Sequence, residues 1–248
     1  VSAMTVASLG VAATTARGAW VAVDLMLVGL AAANAAFYTS GTVLLLRALR
    51  RSSTAAVLPL MKLDGLLVVA IGALAFAERP TPLQWVGALL GLGVVAALTW
   101  PAKGAGDGRP ELHAVASALG AACSFAGSMS IGRLAARSGE KLPYVAISYA
   151  ITALLALAVG ALTRPEGGQT RAALPWGAVI GALNFVGYLL LLHAFAHGPM
   201  TLVQPIFASS MLVAVAVSSR LLREKLTRRH AVALSLSLGA VVLIRLGG

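Results

Sequence analysis

The feature that constrains this chain most is a succession of apolar stretches, each long enough to cross a lipid bilayer. About 30 Å of hydrocarbon needs roughly 20 consecutive apolar residues per helix. Hydrophobic residues fill 59% of the 248 positions and charged residues 11%, which leaves too little polar material to coat a water-soluble globule. The sequence therefore predicts an all-α polytopic membrane protein. The expected spans are residues 26–46, 54–77, 83–100, 112–132, 144–163, 174–196, 201–219 and 230–246.

Residues 1–15 resemble the end of a further span, so about nine spans are expected in all. The chain opens on Val1 without a charged leader or a complete first span. We therefore expect that its natural beginning is missing; a signal peptide is the other interpretation.

The two halves of the sequence resemble each other in a register of 146 residues. In this register Pro59 falls on Pro205 and Glu78 on Glu224 without a gap. Leu and Val match often by chance in so apolar a chain, whereas Pro and Glu do not. A polar stretch at residues 101–111 separates the halves, which predicts a first repeat at 1–100, lacking its first helix, a linker, and a second repeat at 112–248.

A repeat with an odd number of spans must insert its two copies in opposite orientations. With the missing helix restored, the plan is an inverted repeat of five plus five helices. In secondary transporters built this way, the substrate site lies near the bilayer midplane between the repeats.

Residues 52–95 and 200–242 each contain a Pro-bearing apolar span, a Glu-Arg or Glu-Lys turn and a Gly-containing last span. In these features the chain resembles the ten-helix drug/metabolite transporters built from two EamA-type repeats. The resemblance implies a secondary transporter, permease or exporter, that moves a small organic metabolite or drug across the cell inner (plasma) membrane by alternating access. The alternative function is a membrane assembly or interaction subunit without cargo.

Two charges, Lys62 and Asp64, lie inside the predicted span 54–77. A charge at that depth costs on the order of 3 kcal/mol even on permissive scales, so it needs a partner or water. Two residues apart on a helix, the side chains point about 200° away from each other. They are interpreted as a substrate-carboxylate or proton site, with proton coupling through Asp64 as a hypothesis; a structural ion pair or a snorkelling Lys62 is the alternative.

Polar side chains recur every four residues on the spans 26–46 and 174–196, and continue onto 201–219. In lipid such stripes turn inward, where they contact cargo or bond neighbouring helices. Both roles stay open. The predicted substrate-contacting residues on these stripes are Asn34, Tyr38, Thr42, Asn184, Tyr188 and Gln204.

Structural roles are predicted for the matched prolines and glutamates. Pro59 and Pro205 either break their helices beside a cavity or merely begin them in the first turn. Glu78 and Glu224 are expected to close the turn into the following helix.

Other classes of function are disfavoured by the pattern of residues. The net charge of +11 comes from scattered loop residues, which indicates orientation in a bilayer rather than nucleic-acid binding. His193 and His197 lack a third metal ligand. The sequence "GAGD" at 104–107 resembles the Gly-x-Gly-Asp of intramembrane aspartyl proteases, but it lies in a linker rather than in the membrane. The sequence has no phosphate-binding loop of the Walker type, which disfavours ATP as the driving force. We therefore predict no enzyme, no cofactor and no metal; the partners are a small solute and lipid, and a homodimer stays open.

The basic residues leave the orientation of the chain open. Twelve fall on the side that holds residues 47–51 and 220–229, and six on the other. The richer side is expected to be cytoplasmic, which places the last span's end outside, whereas the family resemblance implies both ends inside.

Overall fold

The computed structural model is a bundle of α-helices, and among the residues that it describes there is no strand. It describes residues 24–52, 57, 60–61, 63–99, 112–137, 141–163, 170–208, 235–236, 239–240, 242–243 and 246–247. The helices are α1 (Leu25–Arg51), α2 (Leu63–Ala75), α3 (Pro82–Thr99), α4 (Leu112–Arg137), α5 (Lys141–Thr163), α6 (Thr170–His197) and α7 (Met200–Ala208).

These helices coincide with the predicted spans wherever the structure describes them. Within the described ranges four helices are long and apolar enough to cross a membrane: Leu25–Arg51, Leu112–Arg137, Lys141–Leu162 and Gly177–His197. Leu63–Ala75 is a shorter apolar helix. The all-helical membrane class is thereby confirmed, while the count of about nine spans stays a prediction.

Several helices run past the predicted ends of their spans. α1 continues to Arg51 and carries Arg50 and Arg51 in its last turn, where cations interact favourably with the helix dipole. α4 continues to Arg137, which places Arg133 inside a helix, only 7% exposed. Arg133 lies just beyond the predicted span 112–132, and it is helical because the helix extends about one turn further than its apolar stretch.

The chain divides into two compact units. The first unit is Val1–Thr42 with Gly127–His197, and the second unit is Val43–Ala126 with Gly198–Gly248. Each unit takes segments from both halves of the sequence.

The buried positions are occupied largely by alanine, while many leucines are exposed. Ala31 and Ala35 on α1 are completely buried, whereas Leu162 on α5 is 85% exposed and Leu183 on α6 is 69% exposed. Lipid is as apolar as leucine, so helices in a membrane associate through small residues that allow close approach. The exposed leucines are typical of a surface that faces lipid.

The second unit packs in the same way around a cluster of small and medium side chains. Its buried members are Ala48, Val57, Met61, Ala118 and Ala121. A Cβ atom on Gly120 would lie 3.2 Å from Leu44 Cδ1. The side of α4 that carries these residues therefore lies close against α1.

The start of α3 is fixed by a reciprocal cap. The Thr81 backbone N–H donates to Gln84 Oε1 at 2.8 Å, and the Gln84 N–H donates to Thr81 Oγ1 at 3.4 Å. Pro82 occupies the first helical position, where its missing N–H is not needed. The Thr81 hydroxyl also donates to the Gly247 carbonyl at 3.1 Å, so this cap docks the last described residues onto α3.

Candidate functional site

Asn34 is the centre of a buried hydrogen-bond network in the first unit. Its side chain is 5% exposed and uses both ends of its amide. Asn34 Nδ2 donates to Ser148 Oγ on α5 at 2.6 Å, and Asn34 Oδ1 accepts from Ser128 Oγ on α4 at 2.6 Å. A buried amide in an apolar bundle must be satisfied by protein. Asn34 therefore holds α1, α4 and α5 together.

The Tyr188 hydroxyl adds α6 to this network through longer contacts. It lies 3.4 Å from Asn34 Oδ1 and 3.4 Å from the Tyr144 hydroxyl. Hydrogen bonds between hydroxyl oxygens and their acceptors are normally 2.5–3.0 Å long, so both contacts are weak. The Tyr188 hydroxyl is therefore held less firmly than the Asn34 amide.

Gly132 on α4 makes room for that hydroxyl. A Cβ atom at Gly132 would lie 2.9 Å from the Tyr188 hydroxyl oxygen and 3.3 Å from Leu192 Cδ2. The absence of a side chain lets α4 and α6 approach. The glycine thus fixes where the Tyr188 phenol ends.

A second group of aromatic and amide side chains continues from Tyr188. The Tyr149 hydroxyl donates to Asn184 Oδ1, and the Tyr149 ring lies edge-on to Phe185 at 5.9 Å between centroids and tilted to Tyr188 at 6.3 Å. Tyr38 lies one turn after Asn34 on α1. Unlike Asn34, Asn184 is exposed. This group therefore places phenol and amide groups among the apolar side chains of α5 and α6.

Three predicted site residues, Asn34, Asn184 and Tyr188, take part in these contacts, and Tyr38 lies one turn from Asn34 on α1. Thr42 differs from them, because its hydroxyl donates to the Tyr38 carbonyl at 2.9 Å within its own helix. That bond satisfies the Thr42 hydroxyl locally.

The hydrogen-bond partners of the predicted residues on α4 and α5 were not predicted from the sequence. They are Ser128, Tyr144, Ser148 and Tyr149. A usable signal was present on α5: Tyr144, Ser148 and Thr152 are spaced four apart and are at most 5% exposed. The same spacing of four residues identified the polar side of α1. Ser128 carries little signal of its own, because one small hydroxyl is common in an apolar helix.

The remaining predicted residues belong to the second unit. Asp64 is half-buried on α2, and its Oδ1 accepts from the Gly65 N–H at 2.7 Å. Lys62, Pro59 and Glu224 lie outside the described residues, so the roles predicted for them stay predictions.

α7 carries two predicted residues, Gln204 and Pro205, both buried. Pro205 is the sixth residue of the helix and has no N–H for the carbonyl of Thr201, its usual i−4 acceptor. Pro205 therefore does not lie in the first turn of α7, and a break beside a cavity stays a prediction. α7 packs against α2 and α3.

Glu78 fixes the beginning of α7. Its Oε1 accepts from the Met200 N–H at 2.7 Å and its Oε2 from the Thr201 N–H at 2.8 Å. The first N–H groups of a helix have no acceptor within the helix, and these two amides belong to that group. A carboxylate also interacts favourably with the partial positive charge at the N-terminus of a helix. The prediction was that Glu78 closes the turn into the following helix. Its carboxylate partners instead lie 122 and 123 residues away, while the start of α3 is capped by Thr81 and Gln84.

The backbone before Glu78 is arranged for this contact. α2 is closed by the Glu78 N–H donating to the Gly72 carbonyl at 3.2 Å, and Ala77 adopts a left-handed φ of 51°. A Cβ atom on Gly72 would lie 2.8 Å from Thr201 Cγ2 and 2.9 Å from Glu78 Oε2. Gly72 is therefore required for the close approach of α2 and α7.

His193 and His197 stack at the end of α6, with 4.3 Å between ring centroids. Both are exposed, and His197 Nδ1 lies 2.9 Å from the His193 carbonyl. In the part of the chain that the structure describes, no group of three or more His, Cys, Asp or Glu side chains is arranged to hold a metal.

Comparison with known proteins bears on this arrangement of apolar helices and internal polar groups. No curated protein matches the chain. A solved structure described as "Crystal structure of protein" is similar in fold, with a TM-score of 0.81, 21% identity, and coverage of 99% of this chain and 85% of that chain. The profile of the EamA-like transporter family matches residues 112–246, more than half of the 248 residues. The chain, a multi-pass membrane protein with polar side chains bonded inside its helical bundle, belongs to the EamA-like transporter family.

Proposed function

We propose that this protein is a secondary transporter that carries a small organic solute across the cell inner membrane by alternating access. The observation that carries the proposal is the polar network inside apolar helices of an EamA-like chain. Polar groups at membrane depth are costly, and they are common on substrate pathways. The substrate is a solute with groups that hydrogen-bond to phenols and amides.

The inverted repeat is part of this proposal. A shift of 146 residues carries Arg51, the last residue of α1, to position 197. α6 also ends at His197, so the corresponding helices end at the same place in this register. This agreement supports two related halves inserted in opposite directions.

The polar residues take different parts in the proposed site. Tyr188, Tyr38 and Asn184 would contact the solute, because Tyr188 is weakly bonded and Asn184 is exposed. Asn34 would position Tyr188, since both of its amide atoms already bond to serines. Lys62 and Asp64 would add charge recognition or proton coupling in the second unit.

Flux through proteoliposomes separates the transporter from an assembly subunit without cargo. We expect uptake or counterflow of at least one solute from a panel of amino acids, sugars and organic cations. An Asp64→Asn variant that transports with its full pH dependence would eliminate proton coupling through Asp64, while leaving transport itself in place.

Water access to the network can be tested without knowing the substrate. The lone Cys123 is exposed and is first replaced by serine. Asn184→Cys is expected to react with a water-soluble thiol reagent in membranes. Leu190→Cys, on the same helix and 65% exposed, is the control that faces lipid and should not react; equal labelling of the two contradicts a polar pathway beside Asn184.

A further inference from the structure

We propose that Thr201 and Gln204, one turn apart on α7, form a buried hydrogen-bonding subsite for a hydroxyl group of the transported solute. The inference rests on the proposed function, which it deepens by naming a chemical class of cargo. Thr201 was not among the residues singled out by the sequence.

Each of these two side chains is buried and has one oxygen atom without a hydrogen-bond partner in the described residues. Thr201 is 0% exposed and Gln204 is 4% exposed. Across the described ranges, neither Thr201 Oγ1 nor Gln204 Oε1 has a hydrogen-bond partner. Buried polar atoms are nearly always paired with protein, water or ligand, so two orphans on one turn call for an explanation.

Pro205 also alters the backbone of this turn. Because proline has no N–H, the Thr201 carbonyl loses the donor that residue 205 would otherwise supply. Residues three apart on a helix lie on the same side, which places Thr201 and Gln204 next to each other. Freed backbone carbonyls in broken membrane helices occur where the chain is buried in protein or lines a cavity.

The turn is also held in place from outside. Glu78 binds the N–H groups of Met200 and Thr201 at 2.7 and 2.8 Å. On the other side Gly72 lets α2 approach so closely that a Cβ atom there would lie 2.8 Å from Thr201 Cγ2. Held by these contacts, α7 cannot readily shift to pair its own orphan oxygens, which is the preorganisation expected of a binding site.

The chemistry of the two orphan oxygens selects the ligand. The Gln204 carbonyl oxygen only accepts hydrogen bonds, while the Thr201 hydroxyl both accepts and donates. A hydroxyl pairs with both, because it can donate its proton to Gln204 Oε1 and accept the proton of the Thr201 hydroxyl. That hydroxyl comes either from the solute or from a bound water, and the experiment distinguishes these sources.

The first measurement is the melting temperature of the purified full chain without added solute. Removing an orphan hydroxyl should not destabilise the protein, so Thr201→Val and Gln204→Leu are expected to melt at or above the wild-type temperature. The matched control is Thr152→Val, because the buried Thr152 hydroxyl donates to the Ser148 carbonyl at 2.7 Å and its loss should lower the melting temperature. A fall in Thr201→Val equal to that of Thr152→Val shows that a water already pairs with Thr201 and overturns the assignment.

The second measurement uses solute pairs that differ by one hydroxyl: L-serine with L-alanine, and D-glucose with 2-deoxy-D-glucose. In at least one pair the hydroxylated member should raise the melting temperature at a concentration at least about tenfold lower, since sites built for a hydroxyl reject analogues without it. Thr201→Val and Gln204→Leu should abolish that preference, and Thr201→Ser should retain it. Equal responses from both members of each pair, or a preference that survives Thr201→Val, overturn the subsite.

Flux in proteoliposomes then separates the two hypotheses. Transport of a solute by the wild type with an unchanged KM in Thr201→Val leaves the proposed function standing and overturns the subsite. Absence of flux for every member of the wider solute panel contradicts the proposed function itself.

Discussion

Replacing Glu78 tests most directly how α7 is held in the bundle. The carboxylate accepts one backbone N–H on each oxygen, from Met200 at 2.7 Å and from Thr201 at 2.8 Å. Glu78→Ala removes both acceptors at once. Arg79→Ala is the matched control, because Arg79 is the next residue in the chain and is exposed.

The expected loss follows from the burial of the two donors. Met200 and Thr201 are both 0% exposed, so water cannot readily replace the carboxylate. A buried amide left unpaired costs about 1–3 kcal/mol, and two of them together with the lost charge–dipole attraction should cost about 3 kcal/mol or more. Glu78→Gln keeps one carbonyl oxygen and should lose about half as much, while Arg79→Ala should stay within about 0.5 kcal/mol of the wild type.

Thermal unfolding of the purified variants in detergent measures these differences. For a protein of this size, 3 kcal/mol corresponds to a fall of about 6–12 °C in melting temperature. The expected order is wild type and Arg79→Ala together, then Glu78→Gln, then Glu78→Ala. If Glu78→Ala and Arg79→Ala have the same melting temperature, the two hydrogen bonds contribute nothing to the stability of the folded state. Glu78 then does not hold the beginning of α7 in place.

Three further predictions use the same unfolding assay. Gly132→Ala should cost about 1–3 kcal/mol because it forces a methyl group against Tyr188. The control, Gly160→Ala, has no atom within 4 Å of the new Cβ and should be neutral or stabilising. Equal effects of the two substitutions would contradict the close approach of α4 and α6. Asn34→Leu should cost about 1–2 kcal/mol, since it removes two hydrogen bonds between helices and each contributes about 0.6 kcal/mol on average; a loss as large as that of Glu78→Ala contradicts this estimate. In the 146-residue register Glu224 corresponds to Glu78, and residues 54–55 to the start of α7, so Glu224→Ala should destabilise as much as Glu78→Ala; no effect would argue against the inverted repeat.

The helices themselves were predictable from the sequence. The expected span 26–46 lies within α1, and 174–196 lies within α6, because the length of an apolar stretch is a local property. Helix ends were less accurate, as Arg133 shows, since polar residues continue a helix beyond the apolar stretch that predicts it. The expected span 201–219 also contains Pro205, which lies inside α7.

The candidate site was predicted in part. Spacing of four residues found Asn34 and Tyr188, because it reports which side of a helix is polar. It did not find Ser128 or Ser148, whose importance depends on the amide that they face. Nor did it predict that Glu78 reaches α7, since a Glu at the end of a helix has local partners available as well.

The sequence by itself determined that this chain forms apolar helices in a membrane and which of their faces carry polar groups. Only the tertiary structure decided the partners: Asn34 with Ser148 across 114 residues, and Glu78 with Met200 across 122. The physical reason is that the spacing of residues along a helix determines on which side of that helix each side chain lies. Which helix packs against that side depends instead on where small residues such as Gly72 and Gly132 let two backbones approach.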